Sequence, residues 1–138
     1  MWGRGFYICG INLTKRKKMI LEKHLQRAIS AHNWTSHYPE KRGLAVIEEH
    51  SEQLQVDIEQ VKKLGGDEAD YQTRYERHFL AWISAHSRCF SSFITGGSKF
   101  PVRRAEKANQ SERRAWEAFC QFRLKYFERL RRNKSREE

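Results

Sequence analysis

The sequence predicts an all-α protein of about four helices, arranged as antiparallel helical hairpins or a small bundle with a coiled-coil-like seam. Three observations lead there. Only two prolines, Pro39 and Pro101, interrupt the 138 residues, and proline is the residue that most reliably breaks a helix interior. Apolar residues recur at spacings of three and four through most of the chain, which places them on one side of a helix. The glycine pairs Gly65-Gly66 and Gly96-Gly97 fall between these periodic stretches, where a helix end needs a residue that tolerates the left-handed conformation.

Residues 1–18, MWGRGFYICGINLTKRKK, match no later pattern and read as an N-terminal extension, either a flexible arm or a short ordered segment. A first helix is predicted from Met19 to about His32, on the spacing of Ile20, Leu21, Leu25, Ala28 and Ile29. Asn33 to Tyr38 has no periodicity, and Pro39 carries a fixed backbone angle that suits a first helical turn. The second helix therefore starts at Pro39. Within it Leu44, Ile47, Ser51, Leu54, Ile58 and Val61 are spaced 3, 4, 3, 4 and 3 residues apart, the seam of a coiled coil. Glu48, Glu49, Glu52, Asp57 and Glu59 fill the other faces.

Gly65-Gly66 ends that helix, and Asp67 reads as the N-cap of the next, with Glu68 and Asp70 complementing its positive end. The third helix is traced through Tyr71, Tyr75, Phe79, Trp82, Ile83, Cys89, Phe90 and Phe93, with His86 filling the missing turn. Thr95 to Pro101 forms a connector. From Val102 to about Arg132 there is no glycine or proline, and Ala115, Trp116, Phe119, Cys120, Phe122, Tyr126, Phe127 and Leu130 spread over more than one face of a long last helix. Residues 19–132 are thus expected to form a single helical domain, followed by a frayed tail over 133–138.

Twenty-seven Lys and Arg against seventeen Asp and Glu give a formal charge of +10 and an isoelectric point near 9.8. The charge is unevenly spread. Residues 1–39 carry net +6, 40–70 net −5, 71–98 net +2 and 99–138 net +7. A basic surface of this kind suits polyanions or acidic protein surfaces. No run of about 18 apolar residues exists, so no membrane span or membrane partner is expected. The apolar piece Phe6 to Leu13 precedes the positive cluster Lys15 to Lys18, the reverse of a secretion signal. Three widely spaced cysteines argue against a disulfide framework. A cytoplasmic location is expected.

Ser87 to Lys107, SRCFSSFITGGSKFPVRRAEK, is the stretch richest in chemistry. Its glycines follow a helix C-terminus, which repels anions, and their spacing is not that of a phosphate loop. The start of the last helix is better placed to meet an anion, because its free amides lie beside Arg88, Thr95, Lys99, Arg103, Arg104 and Lys107. A second basic cluster, Arg129, Arg131 and Arg132, lies near the other end. Lys and Arg there would displace counterions from a phosphate backbone, with aromatic rings available to stack on bases. The competing reading is that the acidic second helix packs beside the basic one and neutralises Arg113, Arg114, Arg123 and Lys125 within the chain.

The motifs W-I-S-A-H-S-R-C at Trp82–Cys89, I-T-G at Ile94–Gly96 and K-F-P-V-R-R at Lys99–Arg104, with Lys107 and the upstream Y-P-E-K-R-G at Tyr38–Gly43, resemble a family of small uncharacterised proteins of bacteriophages, prophages and mobile elements. The resemblance spans roughly Met19 to Arg132. The matching positions are Arg88, Ser91, Thr95, Gly96, Phe100, Pro101, Arg103 and Lys107, whereas Gly97 and Arg104 stand where that family has proline and asparagine. It implies a phage or mobile-element origin and a compact helical fold, and it supplies no activity.

Catalytic constellations are weak. His86 and Cys89 lie three residues apart, with His78 two turns earlier, but no CxxC or HExxH run supplies further metal ligands. A His86 and Cys89 nucleophilic pair lacks a third orienting group. Glu48, Glu49 and Glu52 read as a solvated face. No enzyme, metal or cofactor is expected. Two functions remain. One is a non-enzymatic accessory protein that binds nucleic acid, DNA or RNA, or a host nucleoprotein through the basic last helix and the connector. The other is an inhibitor or adaptor of a host protein, such as an anti-CRISPR or anti-restriction factor, acting through Leu44, Ile47, Leu54, Ile58, Val61 and Trp116. The same seam would serve a homodimer.

Overall fold

A computed structural model describes residues 19–91 and 100–137, together with the backbone of a two-residue antiparallel strand pair, Phe6–Tyr7 with Gly10–Ile11, inside the N-terminal extension. The other regular elements among the described residues are helical. A 3₁₀ turn at Glu22–His24 leads into α1, Leu25–Ala31, followed by α2, Pro39–Lys63, α3, Glu68–Ser87, and α4, Val102–Glu137.

Local chemistry sets most of these boundaries. Pro39 occupies the first turn of α2, where its missing N–H has no intrahelical partner to lose. At the other end Gly66 N donates to Val61 O at 2.9 Å and Gly65 N to Lys62 O at 3.1 Å, with Gly65 at φ 75°. That pair of bonds is the Schellman closure. Asp67 then caps α3 by accepting a bond from Asp70 N at 3.1 Å.

Three boundaries differ from the sequence expectation, each through a contact distant in sequence. The first helix begins as a 3₁₀ turn because Leu21 N is taken by Ser51 Oγ of α2 at 3.1 Å. The third helix stops at Ser87 rather than running on through Phe93, because Ser91 N donates to Trp34 O at 2.9 Å and draws the chain onto the α1–α2 loop. The last helix does not fray at residue 133. It continues to Glu137, and Lys134 Nζ donates at 3.0 Å to Lys63 O, one of the free carbonyls at the end of α2.

Helix α1 packs on α2 and α3, α2 on α3, and α3 on α4. At the α1–α2 crossing a Cβ on Gly43 would stand 2.7 Å from Ile29 N and 2.8 Å from its Cα, so only glycine lets the two backbones approach. The core joins Leu21, Ile47, Leu54 and Val61 to Tyr71, Tyr75, Phe79 and Ile83 of α3 and to Phe119, Tyr126 and Leu130 of α4. This corrects the expectation of an exposed seam. Ile47, Leu54 and Val61 have no exposed surface, Ile58 packs against the same core and Leu44 is half-buried. The chain closes its own seam, since burying that apolar stripe against neighbouring helices is what stabilises a lone amphipathic helix. A partner or second copy has no access to it. Of the six proposed interface residues, Trp116 alone is substantially exposed, at 41%.

Among the described residues Asp57, Ser51 and His32 are buried polar side chains, and His50 is half-buried against the core. Asp57, 4% exposed, receives four donors: Tyr71 Oη at 2.5 Å and Arg123 Nε at 2.8 Å on Oδ2, Arg123 Nη2 at 3.0 Å and Gln53 Nε2 at 2.9 Å on Oδ1. Burial, then the Asp57 carboxylate, pushes the Tyr71 hydroxyl well above its ordinary value, and the hydrogen bond to Asp57 holds the Arg123 guanidinium in its charged form. His50 lies among the rings of Phe79, Trp82, Trp116 and Phe119, with Nδ1 3.2 Å from Tyr75 Oη. Burial lowers its pKa below the ordinary value, as it does for His78, stacked on Phe122 at 4.7 Å.

Four stability outcomes follow, three from substitutions and one from pH. Gly43→Ala lowers unfolding free energy by about 2 kcal/mol in urea titrations, overpacking outweighing the gain of about 1 kcal/mol from alanine's helix propensity. Gly65→Ala costs about 1 kcal/mol, the strain of a left-handed side chain. Arg123→Met costs about 2 kcal/mol, less than for a fully buried pair because the Arg123 side chain is 34% exposed. In Asp57→Asn/Arg123→Met part of that loss returns, since no uncompensated carboxylate remains. Lastly, burial lowers the pKa of His50 and His78 in the fold, so the unfolded state binds more protons as the pH falls through the ordinary histidine range, below about pH 6.5. Stability therefore falls from pH 7 to pH 5, and His50→Gln flattens that fall.

Candidate functional site

Helix α4 carries twelve Lys and Arg against five Asp and Glu. The expected neutralisation by the acidic α2 occurs at one point, the Arg123 to Asp57 pair. Among the described residues Arg123 is the only cation of α4 in a salt bridge. Arg113, Arg114 and Lys125 stay exposed. The reason is geometric: α4 packs along α3, and α3 carries little negative charge.

The candidate anion-binding residues divide into two groups. At the start of α4, Arg103, Arg104 and Lys107 are exposed, and the first turn contains no acidic residue. Arg104 lies 5.1 Å over the Phe90 ring, Phe90 is 5.3 Å from Phe100, and Arg88 Nη2 donates to Ser111 Oγ at 3.3 Å. These contacts join the chain on the two sides of the connector. Thr95 and Lys99 lie outside the described residues. At the other end Arg129 stands 5.1 Å over Tyr126, Arg131 5.9 Å over Phe127, and Arg132 is exposed. Arg104 and Arg129 are separated by about 38 Å along the helix axis, at about 1.5 Å per residue. Twenty-five residues are close to seven full turns, so Arg104 and Arg129, like Lys107 and Arg132, lie on one side of α4.

A second constellation forms where the end of α3 meets α4. His86, 16% exposed, directs Nδ1 to Glu112 Oε2, while its Nε2 is 3.1 Å from Thr35 Oγ1 in the α1–α2 loop. Cys89, buried just past α3, has Sγ 3.9 Å from Glu112 Oε1 and 3.8 Å from Ala85 O. His32 packs its ring 4.3 Å from that of His86 and is held by Ala28 O at 2.8 Å. Glu112 is the residue that motif spacing missed. Its signal was positional: Ala105, Glu112, Phe119 and Tyr126 recur every seven residues, which puts a carboxylate on the core-facing side of α4.

The chemistry available here is that of a donor set. Burial first, and the Glu112 charge second, push the Cys89 thiol up to about 11, so it is a protonated thiol and not an activated nucleophile near neutral pH. One imidazole nitrogen, one sulfur and one carboxylate oxygen lie within 4.8 Å of one another. His78 is not part of this group, since it stacks on Phe122 and Phe119 further along α4. No described helix is long and apolar enough to cross a membrane. The chain matches no family model, and no curated protein or solved structure matches it.

Proposed function

We propose that this chain is a non-enzymatic accessory protein of a phage or mobile element that binds nucleic acid, free or within a nucleoprotein, through the phosphate backbone. One observation carries the reading. The basic residues at both ends of α4 are exposed and, among the described residues, make no ion pair within the chain. Exposed cations of this kind release counterions from phosphates on contact. The spacing of the two clusters on one side of α4 is close to the pitch of a B-form duplex, roughly 34–36 Å per turn, so a duplex lying along α4 meets both. The phage origin rests on the resemblance of the Trp82–Lys107 motifs.

A second reading, an inhibitor or adaptor of a host protein, is favoured by the exposure of Trp34 at 55%, Trp116 at 41% and Leu124 at 62%. Exposed tryptophans are frequent anchors of protein interfaces.

Gel-shift titrations of a duplex of roughly 20 base pairs over rising salt separate the two. A phosphate binder loses affinity steeply, and Arg103→Ala/Arg104→Ala/Lys107→Ala weakens binding while reducing the salt slope by about 3, near one unit per lost phosphate contact. A host-protein inhibitor leaves DNA and RNA unshifted at physiological salt, and unchanged affinity in the triple variant sinks the first reading.

A further inference from the structure

We propose that His86, Cys89 and Glu112 form a binding site for a divalent cation of the zinc class, with three protein ligands and a fourth position for water. The site stands independently of the nucleic-acid reading.

The donor set selects the ion. A thiolate, an imidazole and a carboxylate together suit zinc and the similar borderline cations cobalt(II) and cadmium, whereas magnesium and calcium prefer oxygen throughout. The dimensions agree. Two donors bonded to one tetrahedral zinc at about 2.0–2.3 Å stand roughly 3.3–3.7 Å apart. Cys89 Sγ and Glu112 Oε1 are separated by 3.9 Å, and one donor atom from each of the three residues falls within 4.8 Å of the others, so the sulfur must draw in slightly and His86 Nδ1 must part from Glu112 Oε2, which it now contacts directly, to admit the ion.

Hydrogen-bond accounting points the same way. The Cys89 thiol has one proton and faces two acceptors, Ala85 O at 3.8 Å and Glu112 Oε1 at 3.9 Å. Both distances are long, and among the described residues Glu112 Oε1 has no other donor. Glu112 Oε1 is thus left without a strong protein donor, and a cation can replace the solvent that its 26% exposed side chain meets. Binding replaces the S–H bond by an S–metal bond and releases that proton to water. The resulting thiolate and carboxylate balance the two charges of the ion, leaving a neutral site, and the C-terminal end of α3 adds its partial negative charge.

The surroundings provide the orienting contact that metal-bound histidines need. In the metal-free site Nδ1 carries a proton towards the Glu112 carboxylate; with Nδ1 on the metal the imidazole keeps one proton on Nε2, by exchange with water, and donates it to Thr35 Oγ1, already 3.1 Å away. The ion would join α3, α4 and the α1–α2 loop, closing a span of 23 residues between Cys89 and Glu112.

The test uses the full chain, reduced and stripped with chelator, and titrated with Co²⁺ and then Zn²⁺. One Co²⁺ binds per chain, with an intense near-ultraviolet thiolate charge-transfer band that Zn²⁺ abolishes, and Zn²⁺ raises the Tm. Cys89→Ser removes the band. Glu112→Gln, which keeps the side-chain shape, and Thr35→Val each weaken Zn²⁺ binding by at least about tenfold, with circular dichroism of the metal-free variants unchanged. Cys120→Ser alters nothing. Absence of saturable one-to-one binding in the wild type overturns the proposal, as does a band that survives Cys89→Ser or disappears in Cys120→Ser. Wild-type affinity in a folded Glu112→Gln would do the same.

Discussion

The carboxylate of Asp57 sets the geometry on which the other features rest. It is buried on α2 and saturated by donors from three helices: Gln53 on α2, Tyr71 on α3 and Arg123 on α4. Apolar packing alone would tolerate sliding α4 along α3 by one seven-residue repeat, about 10.5 Å, because its core positions recur at that interval. A slide of that size would strip Arg123 from Asp57 and leave a buried charge half-satisfied, a penalty of several kcal/mol per ion. The ion pair thereby fixes the register. Glu112 lies eleven residues before Arg123, about three turns away on the same side of the helix, so the register that joins Arg123 to Asp57 also delivers Glu112 to His86.

The same arrangement decides where the charge ends up. A basic helix laid along the acidic α2 would have been neutralised over its length. Instead α4 runs along α3, and its contact with the acidity of α2 is concentrated at Asp57. What remains is a rod with positive clusters at its two ends, one over Arg103 to Lys107 and one over Arg129 to Arg132, and between them a stretch in which Trp116, Phe119, Phe122 and Tyr126 alternate with the exposed Arg113, Arg114 and Lys125. Arg129 and Arg131 lie over Tyr126 and Phe127, so aromatic faces position these cations without cancelling their charge.

Much of the fold was legible because its boundaries are local. Pro39, the Gly65-Gly66 closure and the Asp67 cap each act within a turn of their own position, and a reader of the chain needs no partner to place them. The failures share the opposite property. The early end of α3 depends on Trp34 O, and the late start of α1 on Ser51 Oγ, contacts whose partners sequence spacing cannot supply. The heptad spacing of α2 marks the buried face, but its cover is the chain's own α3 and not a partner, because periodicity reveals which face is buried and says nothing of what covers it. Glu112 escapes short-motif spacing because this third donor comes from a helix 23 residues beyond Cys89.

The two candidate sites meet at the connector. Cys89 and Phe90 leave α3 on one side, and Phe100, Arg104, Ser111 and Glu112 return on the other, held by the Phe90 to Phe100 contact, the Arg104 cation over Phe90 and the Arg88 to Ser111 bond. Each of these contacts is weak and solvent-accessible, worth a fraction of a kcal/mol to about 1 kcal/mol. The His86, Cys89 and Glu112 cluster is the more buried anchor of this end of the molecule. A basic surface built on a well-anchored helix end loses less conformational entropy on meeting a rigid polyanion than one on a free loop. The position of Arg103, Arg104 and Lys107, and with it their value as a binding surface, therefore depends on how firmly that cluster is held.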